Sequence, residues 1–236
     1  MIGFTSAVLL TSFFAGLLGS LTGLGGGVVI VPALVLLFHV DLRYAIGASL
    51  ISVIATSSGA AVAYVKEGFS NVRIGMFLEV ATTVGAVGGA YLAAIVSTRA
   101  IGIIFGVTLL YSAWSSFREP HTETTHPPNA LAEKLRLSGD YPTKNGSQTY
   151  VAENVPAGFG IMFIAGLLSG LLGIGSGAVK VLAMDRAMKL PFKVSTTTSN
   201  FMIGVTAAAS AGIRHRLSKE CSKSSVLEHS LLSRLH

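Results

Sequence analysis

No Asp, Glu, Lys or Arg precedes Asp41, and long uncharged runs recur after it. Six apolar segments stand out: Gly3–Phe38, Tyr44–Val65, Val72–Val96, Ala100–Phe117, Ala157–Ala183 and Val194–Ile213. A helix satisfies its own backbone hydrogen bonds where water is absent, and about 20 apolar residues suffice to cross a bilayer as a helix. The pattern therefore predicts an all-α polytopic membrane protein. The first segment is too long for a simple span: as one helix it would measure about 54 Å, against a hydrocarbon core of about 30 Å. Gly23, Gly25, Gly26 and Gly27 interrupt it and Pro32 follows. Because glycine is poor in helix interiors, the expected form is a helix to about Leu21, a break, and a short helix to Phe38. Irregular backbone at membrane depth is tolerated where it is buried in protein or lines a polar cavity, which makes the break a candidate site.

The third and fourth segments carry small residues four apart, Gly85 with Gly89 and Gly102 with Gly106, a spacing that lets helices approach closely. From Arg118 to Val155 the chain is polar and contains Pro120, Pro127, Pro128 and Pro142, as expected of a linker outside the membrane. Within it, Ala130–Leu137 reads either as a short surface helix or as ordinary loop.

A shift of 150 residues superimposes Phe14–Ala63 on Ile164–Ile213 without a gap. Ala15-Gly16-Leu17-Leu18 falls on Ala165-Gly166-Leu167-Leu168. Gly23, Gly25 and Gly27 fall on Gly173, Gly175 and Gly177, and Ser49 falls on Ser199. The expected organisation is a first membrane half at 1–117, a polar linker at 118–155, an incomplete second half at 156–213 and a basic tail at 214–236. Repeated halves with matching Gly-interrupted helices point to a secondary transporter whose site forms at the two breaks.

Composition sharpens this picture in two ways. Hydrophobic residues make up 51 % of the chain and charged residues 12 %, with mean hydropathy +0.66; a soluble domain carries about twice that charged share. The net charge of +6 comes from residues between and after apolar segments, where Lys and Arg set topology and meet lipid headgroups, so no nucleic-acid partner is expected. A single cysteine, Cys221, excludes an intrachain disulfide and a cysteine-cluster metal site. No His-Glu-x-x-His pattern, nucleophile elbow or Walker loop occurs, and His39 stands alone, so neither an enzyme nor a cofactor is expected.

Candidate chemistry gathers in the second repeat. Gly173, Gly175, Ser176 and Gly177 form a Gly-rich turn feeding a helix, whose free N–H groups suit an anion. Lys180 adds a full charge where the first repeat has Ile30, and an ionisable residue inside a span is a functional candidate. The competing readings are a lysine that snorkels to the interface or one that pairs with Asp185. Ser195, Thr196, Thr197, Thr198, Ser199 and Asn200 form a polar run that either binds the oxygens of a small oxyanion or bonds back to helix carbonyls. Only Ser49 answers it in the first repeat. Glu79, within the third segment and six residues after Arg73, is a candidate for proton coupling or a plain interfacial glutamate. The partners expected are the lipid bilayer, a small anion and a coupling proton or ion.

Three stretches, GLLGSLTGLGGGVVIVPAL (Gly16–Leu34), GLLSGLLGIGSGAVKVLAMD (Gly166–Asp185) and LPFKVSTTTSNFMIGVTAA (Leu190–Ala208), resemble the TauE/SafE sulfite exporter family, also called the 4-toluenesulfonate uptake permeases. The likeness runs from about Thr5 to Ala211. It implies a multi-pass carrier of the bacterial inner membrane that moves sulfite, a sulfonate or a related organic anion. Two departures stand out. Ser176 and Leu182 replace the Gly26 and Pro32 of the first motif, so the second break is expected to differ in shape. After Arg214 the chain becomes polar and basic where the family continues with further spans. That end reads as a surface helix with Leu227, Leu231 and Leu235 on one face, or as the ending of a truncated carrier. A truncated remnant or a non-transporting membrane subunit is the alternative function.

Overall fold

A computed structural model describes residues 2–23, 25–116, 132, 135, 137–143, 146–173 and 175–232. Helix α1 (Ile2–Thr22) ends at the first glycine break, and a short helix α2 (Gly27–Pro32) runs into a π-helical turn, Ala33–Leu37. Helices α3 (Leu42–Lys66), α4 (Val72–Ile95) and α5 (Thr98–Ser116) complete the first half. A hairpin follows, β1 (Ser138–Thr143) and β2 (Gly146–Val151), pairing Ser138 with Val151 and Thr143 with Gly146. The second half repeats the opening as α6 (Val155–Leu172), a break, α7 (Gly177–Leu182), a π turn at Ala183–Ala187, and α8 (Phe192–Leu232). Helices α3, α4 and α6 are each long and apolar enough to cross a membrane.

The 150-residue register holds down to the backbone. Gly23 and Gly173 have φ of 70° and 65°, and Gly25 and Gly175 have 78° and 80°. His39 and Lys189, also 150 apart, both take positive φ (53° and 50°), just beyond the matching π turns. Two non-glycine residues in the left-handed region at equivalent positions show that the turn geometry, set by the wide π turn before it, outweighs side-chain preference. At the first break the chain doubles back. A Cβ on Gly19 would lie 2.4 Å from the Gly26 nitrogen, and one on Gly26 would be 3.4 Å from the Ala15 carbonyl oxygen.

The two halves differ in one place within the breaks. Gly26 is right-handed helical (φ −61°), whereas Ser176 is left-handed (φ 46°) and gives no side-chain cap to α7. The departure read from the sequence at this position is thus a conformational one. The exchange of Pro32 for Leu182 changes little, because both precede a π turn of the same length.

Helices α4 and α6 lock together through interleaved glycines. A Cβ on Gly85 would come within 2.3 Å of the Phe163 carbonyl oxygen, and one on Gly166 within 2.1 Å of the Thr82 carbonyl oxygen. Gly89 and Gly170 meet backbone just as closely. Such backbone-to-backbone contact stands in for the hydrophobic drive that is absent between helices in lipid. Gly102 and Gly106 of α5, with the same spacing, meet nothing closer than Leu42.

Two features differ from the sequence reading. The hairpin was not anticipated in the linker, and it docks on the bundle: Leu137, Ala152 and Val155 join Ile74, Leu78, Met184 and Met188 in one buried cluster. There Asn71 Nδ2 donates to Tyr150 Oη at 2.8 Å. Burial pushes the Tyr150 phenol above its ordinary value, opposed by the Asn71 bond. The second is at Arg214, after which a helix was one of two expected forms: α8 continues there without a break to Leu232. No Gly or Pro lies between Ile213 and Leu232, and Arg, Leu, Lys and Glu are good helix formers. The proposed surface helix at Ala130–Leu137 falls almost wholly outside the described residues, as does Leu235.

Candidate functional site

Each glycine break is held by the opposite half. Ser199 Oγ on α8 donates to the Gly23 carbonyl at 3.1 Å, and Ser49 Oγ on α3 donates to the Gly173 carbonyl at 2.7 Å. These two bonds are 150-residue equivalents of each other. The glycines are required for the same reason on both sides. A Cβ on Gly23 would strike the backbone of Thr196 at 2.8 Å, and one on Gly173 would strike Ile46, the equivalent of Thr196, at 2.4 Å. A Cβ on Gly175 would meet Ile203 at 2.7 Å and Val53 at 3.2 Å, another equivalent pair, so the local two-fold runs between α3 and α8.

The polar run of α8 is buried along its whole length, and its hydrogen bonds go largely to backbone. Thr197 Oγ1 donates to the Phe69 carbonyl at 3.0 Å, Thr198 Oγ1 accepts from Asn71 N–H at 3.1 Å, and Asn200 Nδ2 donates to the Ser20 carbonyl at 2.8 Å. Thr196 and Ser195 bond to the carbonyls of Lys193 and Leu190. The end of α1, the α3–α4 loop with the start of α4, and the first turn of α8 are tied together here, which explains why a transmembrane segment tolerates so many polar side chains.

Lys180 and Glu79, singled out separately in the sequence, meet. Lys180 is 0 % exposed and so does not reach an interface; its Nζ lies 3.6 Å from Glu79 Oε2. Glu79, 5 % exposed, is held by three threonines. Thr206 Oγ1 donates to Oε1 at 2.6 Å, Thr83 Oγ1 to Oε1 at 3.1 Å, and Thr82 Oγ1 to Oε2 at 2.9 Å. Lys180 Nζ in turn donates to Thr206 Oγ1, so one hydroxyl bridges ammonium and carboxylate. The centre draws on α4, α7 and α8 together. It is separate from the run: Thr198 and Thr206 are eight residues apart on α8, about 12 Å along its axis. Ser199 makes the link between them, since its hydroxyl also reaches the Gly177 carbonyl at the start of α7.

Thr206, Thr82 and Thr83 were missed in the sequence. Thr82 and Thr83 lie one turn beyond Glu79 on the same helix, a spacing that could have found them. Thr206 had a weaker signal in being the 150-residue counterpart of Thr56. Ser176 and Ser169 are also buried near the second break, and among the described residues their hydroxyls have no hydrogen-bond partner.

A buried lysine with a counter-carboxylate, on a half-helix after a glycine break, can hold a small anion by charge and N–H donation once the carboxylate gives way. With six residues before its π turn, α7 is too short for its dipole to dominate, so the charge of Lys180 carries the electrostatics.

Residues 8–219 match the family described as Sulfite exporter TauE/SafE. Two proteins of Bacillus subtilis (strain 168) are similar. The probable membrane transporter protein YunE is 30 % identical over 211 residues, covering 86 % of this chain and 75 % of the relative. The probable membrane transporter protein YdhB is 26 % identical over 206 residues, covering 87 % and 76 %. No solved structure matches the chain. The match spans both glycine breaks, Glu79, Lys180 and Thr206, and the chain belongs to the TauE/SafE sulfite exporter family as a multi-pass membrane transporter.

Proposed function

We propose that the protein is a secondary carrier for a small oxyanion of the sulfite or sulfonate class, with Lys180 supplying the charge that holds it. The observation that carries this reading is the complete burial of Lys180 in the second Gly-interrupted element. A buried lysine is costly in a membrane interior, and an anion-handling role gives a reason for keeping it. The sulfur oxyanion class rests on the name of the family, and the Thr206 hydroxyl beside the Lys180 ammonium suits it, because a hydroxyl can donate to an anionic oxygen.

Proteoliposomes test the reading. Purified protein should take up labelled sulfite faster than protein-free vesicles, and Lys180→Met should abolish that uptake while the variant still elutes as a folded species in detergent. Uptake by Lys180→Met at the wild-type rate would remove Lys180 from the site.

A further inference from the structure

The Glu79 carboxylate is the negative charge that faces Lys180. It faces the ammonium of Lys180 at 3.6 Å, and its two oxygens accept from Thr82, Thr83 and Thr206, a donor set that would serve an anion equally well. Few other charges are near. Helix α6, packed on α4, has no titratable side chain, and α8 has no charged residue between Lys193 and Arg214. In the π turn after α7, Asp185 and Arg186 follow five and six residues after Lys180, and each makes a contact of its own. The ammonium can therefore be balanced by Glu79 or by an incoming anion. If both stayed charged, the centre would carry an uncompensated negative charge at membrane depth, which is costly.

We infer that Glu79 is a built-in stand-in for the transported anion: the entering oxyanion displaces it from Lys180, and the released carboxylate takes up one proton from a hydronium ion of the aqueous phase on the anion's side, which leaves as water. This rests on the carrier reading above and deepens it. The exchange balances. A lysine ammonium paired with the Glu79 carboxylate, plus one monovalent anion and one proton, becomes the ammonium paired with the anion, plus a neutral glutamic acid. One O–H bond forms, none breaks within the protein, and the centre has zero net charge before and after. Thr206, which bonds both partners, keeps its bond to Lys180 and turns to accept from the protonated acid.

Two consequences follow. Transport is one proton per anion and electroneutral. Monovalent anions, such as hydrogen sulfite or an alkyl sulfonate, are preferred over dianions, because a dianion leaves one charge unbalanced.

The test uses methanesulfonate, which is fully ionised at ordinary pH and does not cross as the neutral acid. Proteoliposomes containing the wild-type chain and a trapped pH dye are given labelled methanesulfonate while a potassium–valinomycin clamp fixes the voltage. The expected result is proton entry in step with anion entry and accumulation indifferent to voltage. Flux remaining in Glu79→Gln should carry no protons and should respond to voltage, with a clamp of 100 mV altering the accumulation ratio by about 50-fold for one uncompensated charge. Wild-type anion entry without protons, or with that voltage response, overturns the inference and leaves the carrier reading standing. Absence of flux for methanesulfonate, hydrogen sulfite and sulfite alike overturns both. The wild-type measurement decides the matter even where Glu79→Gln does not fold.

Discussion

Replacing Lys180 by Met is the perturbation with the largest expected effect on stability. The ammonium lies 3.6 Å from the Glu79 carboxylate, with side-chain exposures of 0 % and 7 %. At that distance the direct attraction is about 4–5 kcal/mol for an effective dielectric constant of about 20. Much of this is offset by the cost of taking both charges out of water, so the pair adds little net stability against an apolar pair of the same shape. Removing one partner is different, because it leaves the other charge buried alone, at a cost of about 3–5 kcal/mol. Lys180→Met should lower stability by that amount. Lys180→Met combined with Glu79→Gln should recover most of it, since the amide removes the buried charge and its one oxygen still accepts from threonine. The assay is reversible unfolding in detergent micelles followed by far-ultraviolet circular dichroism, read as a double-mutant cycle. If Lys180→Met is as stable as wild type, or the double variant is no better than the single one, the two groups do not form a coupled pair.

Five other substitutions follow from the geometry. Ser49→Ala and Ser199→Ala each remove the donor to a glycine carbonyl in the opposite half and should each cost about 1 kcal/mol, with nearly equal values because the bonds are equivalent; melting curves in micelles check this. Gly166→Ala places a Cβ 2.1 Å from the Thr82 carbonyl oxygen and should destabilise by about 1–3 kcal/mol or more, whereas Gly160→Ala on the same helix meets nothing and should be neutral or slightly stabilising. Ser176→Gly relieves a left-handed serine and should raise stability by about 1 kcal/mol, while weakening sulfite binding in a titration if its hydroxyl serves the anion.

Much of the architecture was legible in the sequence because its signals are local. Glycine at Gly23 and Gly25, and again at Gly173 and Gly175, marks left-handed backbone that other residues rarely adopt, and the 150-residue register carried that mark across both halves. The hairpin was passed over although its signal was present, since Asn145-Gly146 lies between Tyr141 and Tyr150 in a stretch judged by its prolines and charges. The continuation of α8 past Arg214 was obscured because the fall in hydropathy drew attention, although no Gly or Pro follows to mark a stop and the residues there are good helix formers.

The candidate site was legible as single residues but not as a constellation. Lys180 and Glu79 each stood out because charge is rare inside a span. Their meeting depends on the close α4–α6 contact and on how α8 crosses α4, which no spacing in the chain encodes. The run from Ser195 to Asn200 drew attention by its hydroxyl count, and the structure directs most of those hydroxyls to backbone at the breaks and the α3–α4 loop. Polar composition alone does not separate a ligand contact from a helix-end tie, because both use the same donors.

The carrier reading is tested most directly by counterflow. Proteoliposomes loaded with unlabelled sulfite and diluted into a trace of labelled sulfite should accumulate label transiently above its external concentration, and Lys180→Met vesicles should not. Label that never rises above the level in protein-free vesicles, with protein verified as folded and inserted, would contradict carriage of this anion.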